Sequence, residues 1–85
     1  MKIWGRIRKN NRTVKDVTVT VHVKSAYEVE DWGEPMARLC HDLNLSRPVI
    51  LTKHERELEQ FSHTAFYPGD FLERVDFDKL EIELF

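Results

Sequence analysis

The first 24 residues read MKIWGRIRKNNRTVKDVTVTVHVK and contain two stretches in which apolar and polar positions alternate. In the first stretch Ile3, Gly5 and Ile7 occupy alternate positions. In the second stretch the alternate positions are held by the valines at 17, 19, 21 and 23. A period of two is the pattern of a strand with one buried face. Between the stretches lies Asn10-Asn11, and Asn tolerates the positive φ of tight turns. The opening segment therefore predicts a β-hairpin.

The register of this hairpin follows if both apolar sets are buried on the same face. Ile3 must then lie opposite Val19, so that paired residue numbers sum to 22. A plain two-residue turn at Asn10-Asn11 gives a sum of 21 and points the valines to the wrong face. We therefore predict a three-residue loop or a bulge between Val14 and Asp16.

The residues after the hairpin predict a helix over 25–43. Ser25 and Glu28 have the spacing of a capping box. Because Pro35 lies inside this stretch, we expect a kink or a late restart of the helix near Glu34. Asn44 is the expected C-terminal stop. One face carries apolar residues at three- and four-residue steps, which predicts packing across the sheet: Val29, Trp32, Met36, Leu39, Cys40 and Leu43.

The middle of the chain predicts a strand and a second helix. Pro48–Leu51 is a short apolar run, which is typical of a strand buried on both faces. Thr52 and Glu55 repeat the capping-box spacing and predict a short charged helix that turns Leu58 and Phe61 inward. After it, Tyr67-Pro68-Gly69-Asp70 has the composition of a type II turn.

Charge is distributed unevenly along the chain. Residues 1–24 hold seven Lys and Arg residues and one Asp, although the whole chain has a net charge of −2. Residues 80–85 alternate apolar and acidic side chains, as in a strand with one solvated face. If this strand lies beside the first one, Glu81 and Glu83 oppose Arg6, Arg8 and Lys2. We therefore expect the uneven charges to pair the first and last strands with each other rather than to form a binding site.

These elements predict one α+β domain over residues 1–85. Its sheet is three- or four-stranded and mostly antiparallel, the element order is β-β-α-β-α-β, and the kinked helix packs on one face. A chain of 85 residues supports a single core. Cys40 is the only cysteine and can form no intramolecular disulfide, which indicates a reducing compartment. No apolar run could span a bilayer, so we expect a cytoplasmic protein with no membrane partner.

Four segments that together span most of the chain are distinctive: KIWGRI at 2–7, Asn10-Asn11, LCHDL at 39–43 and VDFDKLEIE at 75–83. In combination they resemble a family of short bacterial proteins of unknown function. Because no activity is attached to that family, the resemblance implies no substrate, cofactor or catalytic residue.

The sequence carries no catalytic, cofactor-binding or metal-binding signature. The run His54-Glu55-Arg56-Glu57-Leu58 fails the HExxH pattern at its last position. Cys40 lies in the apolar stripe of the helix, which favours a buried structural thiol over a nucleophile. We therefore favour a protein without enzymatic activity and predict no cofactor. The alternative is an enzyme whose pocket gathers His or carboxylate residues that are distant in sequence.

One surface of the hairpin is a candidate binding site. Its cations could contact phosphates while its tryptophan stacks on a base. The competing interpretation is that the same cations solvate a sheet face and pair with the terminal glutamates. The candidate residues are Trp4, Arg6, Arg8, Lys9 and Arg12.

Two functions follow from these observations. The first is a small non-catalytic interaction module or subunit that binds another protein, or a second copy of itself through a sheet edge. The alternative is weak nucleic-acid binding through the basic hairpin, which the negative net charge disfavours.

Overall fold

The structure is a computed structural model that describes residues 1–85. It is an α+β fold with one antiparallel sheet of four strands in the order β2-β1-β4-β3. The predicted fold class is confirmed. Neither helix is long and apolar enough to cross a membrane. The elements are β1 (Lys2–Lys9), β2 (Arg12–Thr20), α1 (Gly33–Asp42), α2 (Thr52–Phe61), β3 (His63–Phe66) and β4 (Lys79–Leu84), with short 3₁₀ turns at Ala26–Glu28 and Pro68–Asp70.

The β1–β2 hairpin has the predicted register and a bulge at the predicted place. Ile3 lies opposite Val19. The turn has two residues, Asn10 and Asn11, both in the left-handed region with φ of 53° and 61°. Between Ile7 and Arg8 the partner on β2 changes from Lys15 to Thr13, which leaves Val14 unpaired. The bulge therefore shifts the pairing by one residue, so that the valines of β2 lie on the same face as Ile3 and Ile7.

Helix α1 begins later than the capping box suggested. Ser25 makes no side-chain capping bond, and Ala26–Glu28 forms only one 3₁₀ turn. The α-helix starts at Gly33, so Pro35 lies in its first turn, where the amide N–H that proline lacks has no intrahelical partner. The predicted late restart near Glu34 is confirmed, and the predicted kinked helix over Ser25–Leu43 is wrong in its first part, because only a 3₁₀ turn forms before Gly33.

The core lies between the two helices and one face of the sheet. On that face alternate residues of β1 and β4 are buried: Ile3, Gly5 and Ile7 on β1, and Leu80 and Ile82 on β4. The predicted stripe of α1 supplies much of the other side, and Asn44 ends it with a φ of 59°. The opposite face of the sheet, the open face, carries no helix. The buried apolar residues are Ile3, Ile7, Val19, Ala26, Trp32, Met36, Leu39, Cys40, Leu43, Leu58, Phe66, Phe71, Leu80 and Ile82.

The predicted strand at Pro48–Leu51 is wrong. This segment makes only an isolated bridge between Pro48 and Phe71. The strand beside β4 is instead β3, which follows α2 directly. Ser62, with a φ of 62°, reverses the chain between them. The element order is therefore β-β-α-α-β-β, with the segment at 48–51 as a loop between the two helices.

Three local predictions, two in α2 and one in the turn at 67–70, also need correction. Leu58 is buried as predicted, but Phe61 is 61% exposed. The N-terminal cap is not Thr52: the amide of Leu51 donates to His54 Nδ1 at 2.9 Å. The turn at 67–70 is a 3₁₀ turn rather than type II, since its glycine has no positive φ. Its Asp70 side chain closes the turn by accepting the Tyr67 amide.

Candidate functional site

The candidate surface on the hairpin centres on Trp4, whose ring is already engaged within the molecule. The indole N–H donates to Asp16 Oδ2 at 2.9 Å. The Arg6 guanidinium lies over the ring, 4.1 Å from its centroid, in a cation–π contact. The Phe85 ring meets Trp4 edge-on with centroids 6.4 Å apart. One face of the ring is therefore covered by an arginine of the same strand and is not free to stack on a base.

The arginines of β1 pair with the glutamates of β4 across the open face. Arg6 Nη2 lies 3.3 Å from Glu83 and Arg6 Nε lies 3.8 Å from Glu81. Arg8 Nε lies 3.4 Å from the same Glu81 carboxylate. These are the cross-strand pairs that the charge pattern predicted for Arg6 and Arg8, because Arg6 and Glu81 are direct partners in the sheet. The predicted pairing of Lys2 is wrong, since Lys2 Nζ lies over the Phe85 ring, 5.9 Å from its centroid.

The other two cations of the candidate surface lie apart from this cluster. Lys9 Nζ lies 2.8 Å from Asp76 Oδ1, in the loop before β4. The hydrogen bond and the charge of Lys9 lower the pKa of Asp76 below its ordinary value. Arg12 is exposed at the start of β2 and makes no ion pair. The fold therefore brings together Trp4, Arg6 and Arg8 but disperses Lys9 and Arg12.

Cys40 is completely buried in the core. Burial raises the pKa of its thiol to about 11, against a smaller lowering by the Arg47 charge. A buried thiol with a raised pKa is a poor nucleophile. No three His, Cys, Asp or Glu side chains come together in an arrangement that could hold a metal ion.

The sheet has an unpaired edge at β3, which the sequence did not reveal. The Leu84 amide donates to the Ser62 carbonyl at 2.8 Å. Because hydrogen-bonded pairs alternate along an antiparallel ladder, Thr64 and Phe66 are the β3 residues that bond to β4. His63 and Ala65 therefore direct their amide and carbonyl groups away from the sheet.

The free edge ends where the 3₁₀ turn begins. The Tyr67 amide donates to Asp70 Oδ2 at 2.9 Å, and the Tyr67 carbonyl accepts the Asp70 amide at 2.8 Å. Tyr67 therefore has no backbone group left for another chain. The open part of the edge consists of the two donors and two acceptors of His63 and Ala65.

A shallow groove of about 450 Å³ runs along this edge and extends over the open face to Arg6, Glu81 and Glu83. The exposed aromatic residues Phe61 and Tyr67 both line it, and Phe61 lies beside His63 with ring centroids 6.3 Å apart. Ala65 is a small residue midway between them. We call the following set the β3 groove: Lys53, Glu57, Phe61, His63, Ala65 and Tyr67.

The helix side of the β3 groove is fixed by one short hydrogen bond. The Thr64 hydroxyl donates to Glu57 Oε1 at 2.5 Å, which ties α2 to the edge strand. Lys53 lies one helical turn before Glu57 and lines the same groove. Opposite charges thus stand side by side along the edge.

The other sheet edge, at β2, is built differently. The Val21 amide donates to the Met1 carbonyl at 3.0 Å, so the same alternation directs the backbone of Asp16, Thr18 and Thr20 outward. This edge carries the bulge at Val14 and the charged Lys15. Bulges and lysines are the devices by which natural sheets discourage edge pairing.

Compared with known proteins, the chain matches no family model, no curated protein and no solved structure. The resemblance to a bacterial family of unknown function stays a prediction.

Proposed function

We propose that this protein is a small non-catalytic interaction module that accepts an extended strand of a protein partner along the β3 groove. The observation that supports it best is the unpaired backbone of His63 and Ala65, flanked by the exposed aromatic rings of Phe61 and Tyr67. Addition of a strand to a sheet edge derives affinity from backbone hydrogen bonds and specificity from flanking side-chain pockets.

A polypeptide suits this edge better than a nucleic acid suits the hairpin. The edge offers alternating N–H and C=O groups with the spacing of a β-ladder, which only another backbone complements. On the hairpin, Arg6, Arg8 and Lys9 already have carboxylate partners. Contact with phosphates would require these pairs to be broken, so we do not retain nucleic-acid binding as a second proposal.

The test compares two proline variants that are matched in geometry. Ala65→Pro removes one outward N–H from the β3 edge and places the ring where a partner backbone would lie, without deleting a bond to β4. Thr18→Pro does the same on the β2 edge. Each variant, and the wild type, is immobilised and incubated with native lysate of the source organism, with and without nuclease.

We expect the wild type and Thr18→Pro to retain the same proteins in both conditions, and Ala65→Pro to lose them. Circular dichroism and thermal unfolding establish that both variants are folded. Capture by Ala65→Pro equal to the wild type, capture that disappears with nuclease, or an empty capture by a wild type that is also monomeric in solution counts against the proposal.

A further inference from the structure

The edge of β3 is complementary to itself, and we infer that the strand it accepts is β3 of a second copy of this chain. This inference rests on the proposed function, because it names the partner of the same groove. In an antiparallel pair of identical strands related by a two-fold axis, residue numbers of facing positions have a constant sum. Only one value of that sum uses the whole free edge.

That value is 128, which places His63 opposite Ala65 of the second copy and Thr64 on the axis. Both outward residues then form hydrogen-bonded pairs, so each N–H and each C=O of the free edge finds a partner, four hydrogen bonds in all. A sum of 130 would instead place His63 opposite Tyr67, whose backbone groups are occupied by Asp70. A sum of 126 would place Ala65 opposite Phe61, which belongs to α2 and cannot pair as a strand residue.

The same register brings the exposed aromatic residues together. Phe61 and Tyr67 lie at opposite ends of β3, so an antiparallel pair brings Phe61 of one copy to the same end of the paired edge as Tyr67 of the other. Both rings are more than half exposed in the single chain. Two aromatic rings in contact stabilise a complex by more than the burial of their surface alone. The two apolar ends therefore enclose the four backbone bonds.

The side chains that face each other in the middle are small. Ala65 leaves room on the open face for His63 of the second copy. On the helix side, Thr64 faces Thr64 of the second copy. Thr64 has little exposed surface and its hydroxyl is already bound by Glu57. The result is one continuous eight-stranded sheet with the β2 edges, which carry the bulge, at its two ends.

The first experiment measures mass in solution. Multi-angle light scattering over a range of concentrations should show the wild-type mass rising from 10.1 kDa toward twice that value. Ala65→Pro should stay monomeric at every concentration, while Thr18→Pro should follow the wild type. A monomeric wild type at millimolar concentration, or a dimer lost with Thr18→Pro and kept with Ala65→Pro, overturns the inference.

The second experiment tests the register. Thr64→Cys places a thiol on the two-fold axis at a non-hydrogen-bonded pair, where the Cα atoms of facing residues lie about 4.5 Å apart and a disulfide fits. Mild oxidation should convert most of this variant to a covalent dimer that a reductant reverses. Thr18→Cys is the matched control and should remain monomeric, and Cys40 is too buried to contribute. Equal cross-linking of the two variants contradicts the register.

The two levels of the proposal fail separately. If the wild type is a monomer but loses its captured proteins with Ala65→Pro, the edge accepts a strand from a different protein and only the self-pairing is wrong. If Ala65→Pro changes neither mass nor capture, the β3 groove is not a binding edge and both proposals are wrong.

Discussion

Gly5 of β1 lies directly beneath Leu39 of α1. A Cβ built on Gly5 would come 2.6 Å from Leu39 Cδ2 and 2.9 Å from Leu39 Cδ1, closer than carbon atoms approach in proteins. Leu39 is completely buried, so its side chain has no solvent into which to move. The missing side chain of Gly5 therefore lets α1 lie close to the centre of the sheet.

Substitution of Gly5 with alanine should destabilise the fold. The added methyl group overpacks the core at Leu39, and overpacking of this kind costs about 1–3 kcal/mol. We expect the free energy of unfolding, measured by urea titration, to fall by that amount. Gly69→Ala is the matched control: no atom lies within 4 Å of its Cβ and its φ is not positive. It should be neutral or stabilise by up to about 1 kcal/mol.

Stability should fall as the pH is lowered below about 6.5, because His54 is buried as a neutral imidazole. Its Nδ1 accepts the Leu51 amide, so the proton resides on Nε2, which lies 3.7 Å from Asp70 Oδ2. Burial lowers the pKa of His54, and the Asp70 charge opposes this only in part. Protonation would place a charge in the core and remove the acceptor of the Leu51 amide.

The sign follows from proton counting. Between the lowered pKa of folded His54 and the ordinary value of 6.5, the unfolded chain binds more protons than the folded one, so unfolding becomes easier as pH falls. We expect urea midpoints to decrease from pH 7.5 to pH 5. In His54→Gln, whose amide oxygen can still accept a hydrogen bond, this decrease should shrink. The other three histidines are exposed. An unchanged pH dependence in His54→Gln contradicts the assignment.

Much of the sheet could be predicted because two independent constraints agreed there. The alternation of Ile3 and Ile7 with the valines of β2 fixes which residues face the core, and the two-residue turn then requires a bulge by simple parity. The position of β4 followed from opposite charges at Arg6 and Glu81. Both arguments rest on the alternation of side chains between the two faces of a strand, and the folded strands keep this alternation.

The third strand could not be predicted, and the candidate site was missed with it. His63–Phe66 has only four residues, too few for a periodic pattern to stand out, whereas Pro48–Leu51 has the apolar run of a strand but docks in the structure as a loop. The exposure of Phe61 depends on where the last turn of α2 meets the sheet edge. That position is set by tertiary packing rather than by local sequence.

Arg6 should contribute more to stability than Lys9, although Lys9 makes the shorter ion pair. The Arg6 side chain is 21% exposed, stacks on Trp4 and serves two carboxylates, while Asp76 beside Lys9 is 88% exposed. Partly buried charge-assisted bonds contribute about 1–2 kcal/mol, and fully solvated pairs much less. We expect Arg6→Leu to lower the free energy of unfolding by about that amount and Lys9→Gln to leave it unchanged. Equal effects would show that burial does not govern these pairs.

The Cys40 thiol should report on opening of the core. With a pKa of about 11, only about a thousandth of the thiol is ionised at pH 8, and the side chain has no exposed surface. An aromatic disulfide reagent should therefore label the native protein no faster than the protein unfolds, and should label it at once in concentrated urea. Thr18→Cys supplies an exposed thiol on the β2 edge and should react rapidly in the native state. Rapid labelling of Cys40 in the native protein would mean that α1 opens locally, without global unfolding, and would contradict this prediction.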